Sequence, residues 1–70
     1  MDYKFKTELK KQLLKGRTIK YVSEQIGYER SGLTKILNGK SKCKKLTAYC
    51  IVKFCDNARE IENYFIKERN

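Results

Sequence analysis

The apolar positions of this 70-residue chain recur mostly at helical spacing. Phe5, Leu9 and Leu13 stand four apart with Leu14 beside the last, and lysines occupy the opposite face. That pattern predicts an amphipathic helix over residues 3–15. Gly16 supplies a left-handed stop. Thr18 suits the N-cap of a second helix that turns Ile19, Val22 and Ile26 inward and ends at Gly27. A third helix is predicted from Arg30 to Leu37, with Leu33, Ile36 and Leu37 apolar and Asn38-Gly39 closing it. Lys40 to Lys45 reads as a basic loop, four lysines in six residues. A fourth helix, near Lys45 to Cys55, is almost continuously apolar through Leu46, Ala48, Tyr49, Cys50, Ile51, Val52 and Phe54, and is expected at the buried centre. Asp56-Asn57 breaks the pattern and can cap a last helix, about 57–68, with Ile61, Tyr64 and Phe65 on one side. Five short helices and no strand make an all-α domain.

Seventy residues bound the chain to one domain with a small core, and self-association would supplement it. The charge adds a second constraint. Seventeen Lys and Arg against eight Asp and Glu leave +9. The excess is uneven: residues 1–53 hold 14 basic and 4 acidic side chains, a balance of +10, and residues 54–70 hold 3 and 4, a balance of −1. A polyanion, most often nucleic acid, is the expected partner of the first three quarters.

Three cysteines cannot pair completely within one chain, no leader-like apolar run is present, and no segment is long enough for a bilayer. A reduced cytoplasmic setting without membrane association is expected, with Cys50 and Cys55 as packing residues. Cys43, in the lysine loop, is placed where neighbouring cations would favour a thiolate. Without histidine, paired carboxylates or a glycine-rich phosphate loop, no catalytic function, metal, cofactor or small-molecule ligand is expected.

Two short helices joined by a tight turn that begins with glycine describe a helix-turn-helix. Ser23, small, precedes Gly27 by four residues; Leu33 follows it by six and Ile36 by nine. The small residue allows a close helix crossing, and the two apolar ones anchor the second helix. Tyr28, just after the turn glycine, is expected in the core. The outward face of the second helix, Arg30, Ser31, Gly32, Thr34, Lys35 and Asn38, is polar and free of acid. Such a face suits a DNA major groove, whose width of about 12 Å admits one helix.

The stretch TIKYVSEQIGYERSGLTKILNGK, residues 18–40, resembles the Cro and phage-repressor-like helix-turn-helix family. The likeness extends over roughly residues 5–56 with the flanking helices included and is sharp from 18 to 40. It implies a lambda-repressor-like domain, motif about 18–39, whose base-reading positions are Glu29, Arg30, Ser31, Thr34 and Lys35. Phosphate contacts would come from Thr18 and the helix start it caps, from Asn38, and from Lys40 and Lys42 in the loop after it. Independently, Arg30 has the fork for guanine O6 and N7, Lys35 reaches the same acceptors, and helix N-termini and lysines suit phosphate. Three positions depart from the family pattern. Ile19 stands where glutamine often holds a phosphate, Glu29 where Ser or Thr usually caps, and Gly32 inside the recognition helix, where it would permit close approach to DNA.

The expected function is a sequence-specific, double-stranded DNA-binding transcriptional regulator, a repressor of phage or mobile-element type. It is expected to act as a homodimer paired through Ile61, Tyr64 and Phe65. The alternatives are a helix-turn-helix adaptor or inhibitor that binds a protein, and a DNA-architectural or excision-accessory protein.

Overall fold

A computed structural model describes residues 2–57 and 60–68, and it overturns the all-α, five-helix, lambda-repressor-like expectation. Among the described residues, four α-helices are combined with a three-stranded antiparallel sheet. The chain runs β1 (Asp2–Phe5), a 3-10 turn (Thr7–Leu9), α1 (Lys10–Leu14), α2 (Ile19–Ile26), α3 (Arg30–Leu37) and β2 (Cys43–Lys44). It continues through α4 (Lys45–Asp56), a second 3-10 turn (Ile61–Asn63) and β3 (Phe65–Glu68). β1 lies in the middle of the sheet, between β2 and β3.

At the N-terminus two periodicities compete for Phe5. It continues the helical stripe of Leu9 and Leu13, but Asp2-Tyr3-Lys4-Phe5 also alternates, with Tyr3 and Phe5 buried and Lys4 exposed. Alternation is the strand period, and aromatic residues fit a pleated, half-buried surface. The strand wins because it has a distant partner. Phe5 stands opposite Phe65 on β3, their rings edge-to-face with centroids 5.3 Å apart, an arrangement that adds to the area buried. The Lys6 N–H donates to the Tyr64 carbonyl at 2.8 Å, and its ammonium donates to the Glu62 carbonyl at 2.9 Å. The predicted helix over 3–15 therefore shrinks to the first 3-10 turn and α1.

The C-terminal helix expected over 57–68 is also replaced. The break itself is real: Asn57 takes a left-handed conformation (φ 51°) and its N–H returns to the Lys53 carbonyl at 3.0 Å. Residues 58–59 of that span lie outside the described ones, and beyond them come the second 3-10 turn and β3. Tyr64-Phe65-Ile66 is a run of strand-favouring residues, and the open edge of β1 satisfies their backbone groups. Ile61 and Phe65 are consequently buried in the core, and half-buried Tyr64 donates its hydroxyl to Asp56 Oδ2 at 3.1 Å. Of the stripe expected as a helical dimer face, Ile61 and Phe65 are interior and Tyr64 is half-buried.

The core gathers Phe5, Leu13, Val22, Leu33, Ile36, Leu37, Ile51, Val52 and Phe65, all fully buried. α4 turns Ala48, Ile51, Val52 and Cys55 inward, but Leu46, Tyr49 and Cys50 are exposed, against the expectation of near-continuous burial. Arg17 ties two helix ends together. Its guanidinium donates to the carbonyls of Leu14 at 2.9 Å and Cys55 at 2.6 Å and lies over the Phe54 ring, serving orphan carbonyls at the ends of α1 and α4. Among the described residues, no helix is long and apolar enough to cross a membrane.

Candidate nucleic-acid interface

α2 and α3 have the boundaries predicted from the sequence, and Gly27, Tyr28 and Glu29 join them. Thr18 caps α2, its Oγ1 accepting the Tyr21 N–H at 3.0 Å. Gly27 ends the helix at φ 74°, a conformation that costs a side-chain-bearing residue about 1–2 kcal/mol. The Gly27 and Tyr28 N–H groups both turn back to the Ser23 carbonyl. Ser23 is buried, small enough for the crossing, and satisfied, because its hydroxyl donates to the Lys20 carbonyl at 2.8 Å. From below, Leu33, Ile36 and Leu37 fix α3 in the core.

That anchoring leaves Arg30, Ser31 and Lys35 outward and exposed, with Glu29 beside them and Thr34 half-buried. The Ser31 hydroxyl donates to the Glu29 carboxylate, so the acid is turned onto a neighbour and caps none of the α3 N–H groups with its side chain. Thr34 donates its hydroxyl to the Arg30 carbonyl at 2.8 Å. Among the described residues, no carboxylate stands within salt-bridge distance of Arg30 or Lys35. The face therefore offers two uncommitted cations on a short, rigidly seated helix.

The positions expected at phosphates divide. Asn38 Oδ1 accepts from the Lys10 ammonium at 2.8 Å, which leaves the Asn38 amide group to donate and sets a second cation beside it. Lys10 lies 28 residues from Asn38, and no local pattern singles it out. Exposed Lys40 follows directly, its N–H bound to the Lys35 carbonyl at 2.9 Å. Lys42 is otherwise engaged, 2.6 Å from Glu68, and the hydrogen bond it donates to that carboxylate raises its pKa. Lys44 pairs with Asp2 at 2.9 Å. The basic loop predicted over 40–45 is thus partly strand, and two of its cations serve the sheet.

Two further expectations change. Tyr28 is not core but 37% exposed, and its ring lies over Gly32. A Cβ at position 32 would stand 3.1 Å from Tyr28 Cε2, so this glycine makes room for the tyrosine ring. Cys43 is buried in β2; desolvation, helped by the charge of Asp2, pushes its thiol up to about 11, away from a reactive thiolate. Comparison with protein-family models, curated proteins and solved structures finds no match to this chain.

Proposed function

We propose that the chain is a sequence-specific, double-stranded DNA-binding regulator of transcription, working in the cytoplasm and laying α3 in the major groove. The observation that carries this reading is the outward face of α3: Arg30 and Lys35 exposed and unpaired among the described residues, on a helix fixed from below by three buried side chains. Exposed cations without a carboxylate partner suit a groove lined by phosphates, and a protein-binding face has no need of them. The resemblance of residues 18–40 to the Cro and phage-repressor-like family supports the same assignment. Arg30 and Lys35 would read guanine edges, Ser31 and Thr34 would contact neighbouring bases, and Glu29 could accept from cytosine N4. Thr18 with the start of α2, Asn38 with Lys10, and Lys40 would hold the backbone.

Selection of bound sequences from a random duplex pool tests this directly. A recovered motif is expected. Arg30→Ala or Lys35→Ala should relax the preference at one position, each costing about 1–3 kcal/mol of discrimination. Lys42→Ala should change affinity much less than Lys40→Ala, because Lys42 is already paired with Glu68. Recovery of no motif, with affinity unaltered in both α3 variants, defeats the reading; loss of capture of a protein by those variants would put the adaptor in its place.

A further inference from the structure

One face of α4 has the wrong chemistry for water. Its inward side is complete with Ala48, Ile51, Val52 and Cys55. On the outward side Leu46, Tyr49 and Cys50 follow at i, i+3 and i+4, one stripe of a helix. Leu46 is 73% exposed, more than any other large apolar side chain among the described residues. Beside the stripe, Ile61 and Glu62 of the second 3-10 turn join Lys45, Leu46 and Tyr49 around a groove of about 470 Å³.

We infer that this groove is a dimer interface, closed by a second copy of the same chain across a twofold axis. Among the described residues its rim carries one cation, Lys45, and one anion, Glu62. In an isologous contact, whatever i does to j is repeated by j on i. A twofold can thus set each Lys45 against Glu62 of the other copy while Leu46 and Tyr49 close over one another. Among the described residues the patch sets one cation against one anion, a self-complementary balance in a chain of +9. An anionic partner, DNA or an acidic peptide, would meet Glu62 and apolar walls.

The position also suits the DNA-binding reading, on which this part of the argument rests. α4 packs on α1, α2, β1, β2 and the second 3-10 turn, whereas α3 packs on α2 and β1. Pairing through Leu46 and Tyr49 of α4 uses none of the α3 side chains assigned to DNA. One α3 reads too few base pairs to find one site among the roughly million or more competitors of a genome. Two copies read two half-sites.

Sedimentation equilibrium on the full chain, without DNA and with reductant, is the test. The wild type should form dimers at the concentrations that saturate duplex DNA. Leu46→Glu should weaken association on the order of a hundredfold, because each dimer loses two buried leucines. Its circular dichroism and melting should stay those of the wild type, since the side chain is exposed in the monomer. Lys45→Glu and Glu62→Lys should each weaken the dimer, and the double reversal should restore it. A wild type that stays monomeric at those concentrations overturns the interface, as does a double reversal no better than its parents. DNA binding is followed separately on a duplex of half-site length with the Arg30→Ala control. A monomer whose binding depends on Arg30 overturns the interface alone, and a dimer that ignores DNA supports it while removing the regulator.

Discussion

Within residues 18–40, Arg30, Lys35 and Lys40 meet no carboxylate at salt-bridge distance among the described residues. Elsewhere, Lys42 and Lys44 at the sheet meet Glu68 at 2.6 Å and Asp2 at 2.9 Å, and Lys15 after α1 meets Asp56 at the end of α4 at 2.7 Å. Side chains of the same charge are thus left open on α3 and, at these three positions, used elsewhere. The linear division of charge, +10 before residue 54 and −1 after it, dissolves on folding, because Glu68 and Asp56 from the acidic end return to Lys42 and Lys15. Exposed pairs of this kind stabilise little, typically 0–1 kcal/mol. Their consequence is local: Lys42, Lys44 and Lys15 are committed to carboxylates, whereas Arg30 and Lys35 on α3 are left open among the described residues. Total charge foretells the sign of a partner, and pairing decides which surface meets it.

The strongest test of that contrast removes the sheet's keystone. Phe65 is buried against Phe5, so Phe65→Ala should cost about 3–5 kcal/mol and leave so small a domain largely unfolded at ambient temperature. Urea titration followed by circular dichroism measures it. A variant that stays folded and loses only self-association would mean that Phe65 faces a partner and not the core.

How much of this was legible in the residues differs between the same two regions. α2, its cap Thr18, the stop at Gly27 and α3 follow from spacings of three and four and from residues that act within one turn, and local sequence carries such signals. β1 and β3 depend on each other. Tyr3 and Phe5 become a strand through register with residues sixty or more positions away, and a short apolar run does not declare its period. The outward placement of Arg30 and Lys35 was legible for the same reason as the helix. The pairing of Lys42, the position of Lys10 beside Asn38 and the exposure of Tyr28 were not, since each depends on how separate elements meet.

The pH response should come from the sheet side. Asp2, Lys42, Cys43, Cys55, Asp56 and Tyr64 all have displaced pKa values, and each lies outside residues 18–40. Asp56 is lowered by its hydrogen bonds from Lys15 and Tyr64, and Asp2 by the one from Lys44. Lowered acids stabilise above their unfolded value of 3.8 and lose that contribution as pH falls through the folded one. Raised groups behave oppositely. Burial moves Cys43 from 9.0 to about 11, so its contribution is whole below 9.0 and fades as pH climbs toward 11. Stability should be flat near neutrality, dip in acid and fall from pH 9 upward. Cys43→Ala should flatten part of the alkaline limb, whatever it does to the plateau; a limb of unchanged slope would place the titration elsewhere. Arg30→Ala should leave both limbs alone.

The smallest expected effect separates two glycines of the two-helix unit. Around Gly27 there is open space, with nothing within 4 Å of an added Cβ, yet its φ is 74°. Gly27→Ala should therefore cost about 1–2 kcal/mol from backbone strain alone. Gly32 presents the reverse case. It sits inside α3, where alanine gains about 1 kcal/mol of helix propensity over glycine. Its added Cβ would press the Tyr28 ring at 3.1 Å, a contact that requires a shift of a few tenths of an ångström. The ring is 37% exposed, so it can swing toward solvent. Gly32→Ala should stabilise by a fraction of that gain, a few tenths of a kcal/mol, and thermal melting of the two variants side by side gives the comparison. A Gly32→Ala variant at least as damaged as Gly27→Ala would show that Tyr28 is held fast over α3. In that case Tyr28→Ala in the same background should recover the missing propensity, because the flat seat for the ring would then have no occupant to protect.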